Sequence, residues 1–381
     1  MLSHSAKIGF ISSSPLNDKR AYSGTIYTMA KSLETIGAEV IWIPSNASAL
    51  WYRIYLKIIT VVGHLFPCFK KWLPRHPKWR SGIINRHLDY DLLDKCDVIF
   101  APMQSYSLLY LKTDKPIVYL SDATSRLLIG YYWFNVPNKD IEELELIEST
   151  AIQKATSLIY PCHWAAESAV RDYGQPQDTI TLAFFGPNIN KDDISPHVFS
   201  FDGHLDILFV GVDWQRKGGE IAVEACRWLN DNGIESTLHI VGIRSLDESV
   251  ASLPFVIYHG FLDKNNPTEL VFLTDLYNKA DCFLLPTVAE CTGISFCEAS
   301  AFGLPCYTHN TGGVSDYVID GESGRLLPLG STGADFGRII KEDVENGRMK
   351  RFSEGAIVVG SDRLSWTVWA EKVGSVIERI V

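Results

Sequence analysis

Two stretches of this 381-residue chain carry side chains whose types and spacing suit chemistry on a phosphorylated ligand. The first runs from Pro286 to Pro305 and holds Glu290, Thr292, Gly293, Ile294 and Glu298. A helix is expected to open at Thr292 or Gly293, with Thr292 a candidate for its cap, and to stop at Gly303, where glycine is followed shortly by Pro305. The unpaired amides of Gly293, Ile294 and Ser295 would then form an anion site, because the helix dipole and free N–H groups both favour phosphate. Glu298 falls one turn further in, where a carboxylate can accept two hydrogen bonds from a vicinal diol such as a ribose. Glu290 precedes the helix and can reach in front of the phosphates, toward a sugar. Two carboxylates at this spacing are also common on solvated loops, so the glutamates gain meaning only from what accompanies them.

What accompanies them is the stretch from Phe209 to Gly219, in which Gly211 ends a buried run and Arg216 and Lys217 follow at an expected helix start. Cations are mildly unfavourable at a helix amino end unless an anion answers them, which places positive charge where a diphosphate would lie. The spacing is neither that of a dinucleotide-binding fingerprint nor that of a P-loop.

The elements that must hold these residues are short β-rich runs alternating with helical stretches in both halves, the pattern of α/β parallel sheets covered by helices. Strands are expected at Lys7 to Ser12, Glu39 to Ile43, Val98 to Ala101, Ile117 to Leu120, Ser157 to Tyr160 and Ile180 to Ala183. In the second half they are expected at Leu205 to Val210, Thr237 to Val241, Val256 to Tyr258, Cys282 to Leu285 and Cys306 to Thr308. Length suits two domains. They are expected at 1–186 and 204–364, joined by a Pro- and Asn-rich linker at 187–203. An amphipathic helix over 365–381 carries Trp366, Trp369, Val373, Val376 and Ile377 at helical spacing.

Composition excludes several classes. A formal net charge of −10 argues against a general nucleic-acid binder, which would bring an excess of Lys and Arg. The eight cysteines are scattered through apolar stretches without a CxxC pair, as reduced thiols in a cytoplasmic protein would be. The chain enters a strand almost at once, with no secretory signal pattern. One segment departs from the acidic average. Val40 to Leu88 contains no Asp or Glu but many cations and aromatics, so Trp51 to Arg80 suits peripheral contact with an anionic membrane at the inner face. Its longest uncharged apolar stretch, Ile58 to Phe69, is too short to span a bilayer, which needs roughly 20 residues.

Together these residues resemble family 4 of the retaining glycosyltransferases over nearly the whole chain. Glu290 to Glu298 resembles that family's E-x7-E motif, and Gly312, Gly313 and Asp316 resemble its downstream glycine-pair segment, with Asp in place of Glu. Tyr160 to Ala165 and Phe185 to Asn188 resemble the approach to the interdomain linker, and Ser23, Gly24 and Thr25 resemble the glycine turn after the first strand. The resemblance implies the GT-B fold: two Rossmann-like domains facing across a cleft, with the last helix crossing back to the N-terminal domain. It implies a hexosyltransferase-like enzyme, of the kind found in polysaccharide biosynthesis, that moves a sugar from a UDP- or GDP-linked donor to a glycan, lipid-linked or small-molecule acceptor.

By that resemblance Glu298 holds the ribose, Gly293 and Ile294 the diphosphate, Lys217 the phosphate charge, Glu290 a donor-sugar hydroxyl, and Gly24 approaches the donor. The family's Arg after the glycine corresponding to Gly211 is replaced by Val212, which leaves Arg216 as the neighbouring cation. Many relatives carry a His near the reacting centre where this chain has Asp122, a candidate for orienting or deprotonating the acceptor hydroxyl. With cations at the leaving group and no DxD-like cluster, no metal or other cofactor is expected. A GT-B epimerase or hydrolase, or a non-catalytic docking subunit, would share part of these features.

Overall fold

A computed structural model describes residues 6–45, 50–66 and 76–381, with the side chains of 50–53 also outside the description. The chain divides into two compact units. One runs up to Ala183 and takes in Trp369–Val381; the other is Phe184–Val368.

The first unit is built on β1 (Lys7–Ser12), β2 (Glu39–Pro44), β3 (Val98–Pro102), β4 (Ile117–Leu120), β5 (Ser157–Tyr160) and β6 (Ile180–Leu182). They form one sheet in the order β2-β1-β3-β4-β5-β6, parallel throughout. Strands such as Val98–Pro102 and Ile117–Leu120 are buried at every position, as strands covered by helices on both faces must be. The C-terminal helix, Trp366–Glu378, supplies core to this unit from Trp369 onward. Trp369 is fully buried and meets Phe100 of β3 edge-on, with ring centroids 6.0 Å apart. Lys372 Nζ donates to the Leu182 carbonyl at 3.0 Å.

The second unit holds β7 (His204–Val210), β8 (Glu235–Val241), β9 (Val256–Gly260), β10 (Cys282–Leu284), β11 (Cys306–His309) and β12 (Gly324–Leu327). They form a parallel sheet in the order β12-β11-β10-β7-β8-β9. Chain order runs outward from β7 to β9 and then returns to β10 on its other side. That reversal makes the crevice at the carboxyl ends of β7 and β10 the place where an open parallel sheet binds ligands.

β12 was not expected from the sequence. It pairs in register with β11 from Cys306↔Gly324 to His309↔Leu327. Four residues at a sheet edge, with Arg325 turned to Asp343 at 2.8 Å, give no apolar run for a sequence pattern to register. The segment 187–203 packs within the second unit: Phe199 is buried and its N–H donates to Ser353 Oγ at 2.9 Å, while the His197 N–H donates to the Phe302 carbonyl at 3.1 Å.

The helix Leu50–Leu65 bears an exposed apolar row at Ile54, Ile58, Val61 and Leu65, spaced so that all four fall on one face. Tyr55 turns instead to Trp79, with ring centroids 5.5 Å apart. Among the described residues no helix is long and apolar enough to cross a membrane. Residues 67–75 of the basic aromatic segment lie outside the described residues. The seven described cysteines are buried and free.

Candidate active site

Because β7 and β10 are hydrogen-bonded neighbours, the loops that leave their carboxyl ends run side by side. The loop after β7 closes at Gly218, at φ 74°, where a Cβ would come within 2.1 Å of the Pro286 carbonyl oxygen. Only glycine permits that approach of two backbones. The loops are then stitched together. The Val288 N–H donates to the Arg216 carbonyl at 2.9 Å, and the Thr287 hydroxyl lies 3.1 Å from the carbonyls of Arg216 and Ala289.

The stitching delivers Lys217 and Glu290 to one point. The ammonium and carboxylate form an ion pair, and each residue is only 8% exposed. Arg216 Nη1 donates to the Ala289 carbonyl at 3.0 Å and stands 3.5 Å from the same Glu290 oxygen. Arg216 is tethered from behind by Asp213, which accepts its backbone N–H at 3.1 Å. Val212, at the place of the family's Arg, is exposed. Both cations lie in the turn before the helix, which begins at Gly219. Their expected position at the helix start is corrected accordingly.

The second anion-directed element is the helix Ile294–Phe302, bounded by Gly293 and Gly303, both left-handed. The expected Thr292 cap is not made: Gly293 occupies the cap position at φ 88°, and no side chain caps the helix. A Cβ at Gly293 would meet the Phe296 ring at 2.5 Å, so the entry is restricted to a residue that cannot itself cap. The first N–H groups of a helix have no intrahelical acceptor, which leaves this amino end suited to an anion. Thr292 is buried beside it. Behind the loop, the Gly313 N–H donates to the Glu290 carbonyl at 3.3 Å. Asp316 turns instead to Arg363, at 2.9 Å, whose guanidinium lies 4.2 Å from the centroid of the Phe184 ring.

Glu298 lies further along the helix and is 2% exposed. Its two oxygens are held separately: Lys264 pairs with Oε1, and the Tyr277 hydroxyl donates to Oε2 at 3.0 Å. Burial, reinforced by the Glu298 charge, pushes the Tyr277 phenol well above its ordinary range and keeps it a donor. Neither partner was expected from the sequence, since a Lys in a polar loop and a Tyr on a helix carry no spacing that points to a glutamate far along the chain.

Gly24 and Asp122 belong to the first unit. Gly24, at φ 97°, caps the helix Thr25–Thr35 and completes a left-handed run with Tyr22 and Ser23 at 48° and 57°. Asp122 follows β4, half-buried, and its carbonyl accepts the Cys162 thiol at 3.8 Å. Close by in sequence, Ser125 reaches Glu148, whose carboxyl also accepts the Tyr119 hydroxyl at 3.1 Å. Burial pushes Glu148 up to about 7 against the pull of those hydrogen bonds. Among the described residues no group of three or more His, Cys, Asp or Glu is placed to hold a metal ion.

Residues 204–343 match the family model described as Glycosyl transferases group 1. The second unit carries a group 1 glycosyl transferase domain. That domain contains Arg216, Lys217, Glu290, Thr292, Gly293, Ile294 and Glu298, while Gly24 and Asp122 lie outside the matched residues. The chain is 27% identical over 178 residues, 43% of its length, to the putative colanic acid biosynthesis glycosyltransferase WcaL of Escherichia coli K12. It is 24% identical over 259 residues, 62% of its length, to the D-inositol 3-phosphate glycosyltransferase of Corynebacterium diphtheriae. These matches span 42% and 60% of the relatives' own lengths. Among solved structures, Anabaena HepE in complex with UDP and glucose superposes with a TM-score of 0.63 and 14% identity, covering 98% of this chain and 100% of that one. The fold around the glycosyl transferase domain is therefore GT-B.

Proposed function

We propose that this chain is a retaining glycosyltransferase that moves a sugar from a nucleoside-diphosphate donor to an acceptor hydroxyl without a metal. The observation that carries the reading is the Lys217, Arg216 and Glu290 cluster beside the amino end of the helix Ile294–Phe302, at the point where strand order reverses. A diphosphate there meets two cations and a set of helix-end amides. When the bond between the anomeric carbon and the β-phosphate oxygen breaks, the electron pair goes to that oxygen, and Lys217, Arg216 and the amides of Gly293 and Ile294 stabilise it. Thr292 lines the same corner, Glu290 takes a hydroxyl of the donor sugar, and Glu298 takes the ribose. The acceptor hydroxyl attacks from the face the phosphate leaves, so configuration is retained. Gly24 is assigned to the donor and Asp122 to the acceptor hydroxyl, which it orients or deprotonates.

The donor is UDP- or GDP-linked, and UDP, bound with glucose in the HepE structure, is the first nucleotide to test. The acceptor is a glycan or a lipid-linked glycan. The exposed row on Leu50–Leu65, within a segment lacking acidic residues, supports peripheral contact with an anionic membrane.

Calorimetry of UDP and GDP against the wild type, Lys217→Ala and Glu298→Ala tests the assignment. Affinity is expected to fall in both variants, and turnover of Lys217→Ala to drop about a hundredfold. Unchanged nucleotide binding in both rejects these residues. Activity that disappears on exhaustive chelation and returns with Mg or Mn rejects the metal-free mechanism.

A further inference from the structure

Glu298 is almost fully withdrawn from water, and a carboxylate so placed needs both a counter-charge and donors for its oxygens. Lys264 supplies the counter-charge at Oε1, with its own side chain only 16% exposed, and Tyr277 supplies a neutral donor at Oε2. An ionised carboxylate has about four lone-pair sites. One partner on each oxygen leaves each oxygen capacity for a further donor, as the two hydroxyls of a vicinal diol require. With only one of the two partners, the plane could turn and the match would be lost.

Lys264 is not delivered by chance. It follows β9 at the carboxyl edge of the sheet, in a turn that ties itself down. Asp263 accepts the Asn265 N–H at 2.9 Å and donates its own N–H to Glu269 at 2.6 Å, while Asn266 caps the helix Pro267–Lys279 by accepting the Thr268 N–H at 3.1 Å. A long cationic side chain loses much rotamer freedom when held this way, so its fixed place beside Glu298 has to be supported by the surrounding turn.

We infer that Lys264 is a positioning residue for the donor's nucleoside: by fixing the Glu298 carboxylate it makes the site select ribose over 2′-deoxyribose. The inference rests on the nucleotide-sugar reading and extends it to a residue that acts through Glu298.

The test is calorimetry on the full chain with UDP against 2′-deoxy-UDP, and GDP against 2′-deoxy-GDP, for wild type, Lys264→Met and Lys264→Arg. The wild type is expected to bind the ribonucleotide about tenfold tighter or more. Lys264→Met is expected to lose about tenfold on the ribonucleotide and little on the deoxynucleotide, so the preference collapses, with partial recovery in Lys264→Arg. Lys264→Ala, which removes the same donor and leaves room for water, makes the same comparison should the Met variant fail to fold. An equal loss on both nucleotides would mean that Lys264 acts only as distant charge on the diphosphate, and no loss would mean that it only packs; either overturns the inference while leaving the nucleotide-sugar reading in place. A wild type that binds neither UDP nor GDP overturns the nucleotide-sugar reading and this inference with it.

Discussion

Lys217 and Glu290, far apart in sequence, meet as a buried ion pair at the carboxyl ends of β7 and β10, with Arg216 Nη1 3.5 Å from the same carboxylate oxygen. Two cations thus share one carboxylate, and at the proposed site an arriving diphosphate would compete with Glu290 for them. Glu290→Gln removes the competitor while keeping its shape. UDP affinity is expected to hold or tighten in that variant while kcat falls by at least about tenfold, because the contact proposed between Glu290 and a donor-sugar hydroxyl would be weakened. Calorimetry and initial rates on the same preparation check both. A weaker UDP affinity in Glu290→Gln would mean that the carboxylate organises the cations rather than competing for them.

Gly218 faces the Pro286 carbonyl with no room for a methyl group. Gly218→Ala is expected to cost about 2–4 kcal/mol in urea unfolding. Gly233→Ala provides the comparison: it has a similar left-handed backbone at φ 87° but open space around it, and should cost only about 1 kcal/mol. Equal costs at the two sites would show that backbone conformation alone, rather than the loop-to-loop contact, sets the requirement.

Burial pushes the Glu148 carboxyl up to about 7 in the folded protein from an ordinary 4.5. Below pH 4.5 folded and unfolded chains both hold the proton, and the group leaves stability unchanged. As pH rises from 4.5 toward 7 the unfolded chain releases its proton first, so stability falls across that window by about 3 kcal/mol in total. Glu148→Gln cannot ionise. Its stability relative to wild type should therefore increase between pH 4.5 and pH 8, as read by thermal melts across that range; a constant difference would count against the raised titration.

Ile54, Ile58, Val61 and Leu65 form the exposed row on the helix Leu50–Leu65. Val61→Glu places a negative charge in that row and is expected to reduce flotation with anionic vesicles at low salt by about tenfold or more, leaving flotation with neutral vesicles unchanged. A wild type that does not float with anionic vesicles removes the membrane contact from the proposal.

The sheets were legible because most strands carry an apolar stretch ended by turn residues. Lys7–Ser12 and Ile117–Leu120 fall where the pattern puts them. β12 was not, being four residues at an edge stabilised by pairing with β11 rather than by its own apolarity. In the site, helix boundaries at Gly293 and Gly303 could be read from glycine and proline, but the cap could not: whether Thr292 or Gly293 turns the chain depends on the Phe296 ring. Spacing brought out Glu290, Glu298 and Lys217 as residues of interest. It did not bring out their partners, since the pairing of Lys264 with Glu298 depends on how a loop after one strand meets a helix after another.

The three-residue strand β10 has a consequence for how the protein can be followed in the test tube. Lys217 and Glu290 are 73 positions apart, and it is the docking of β10 on β7 that sets their loops side by side. A chain that has collapsed and formed its helices but not inserted that central strand would lack the proposed diphosphate site. Nucleotide-dependent fluorescence or protection during refolding would therefore time the completion of the sheet, and a variant with full helical circular dichroism but no nucleotide signal would point to a misplaced middle strand.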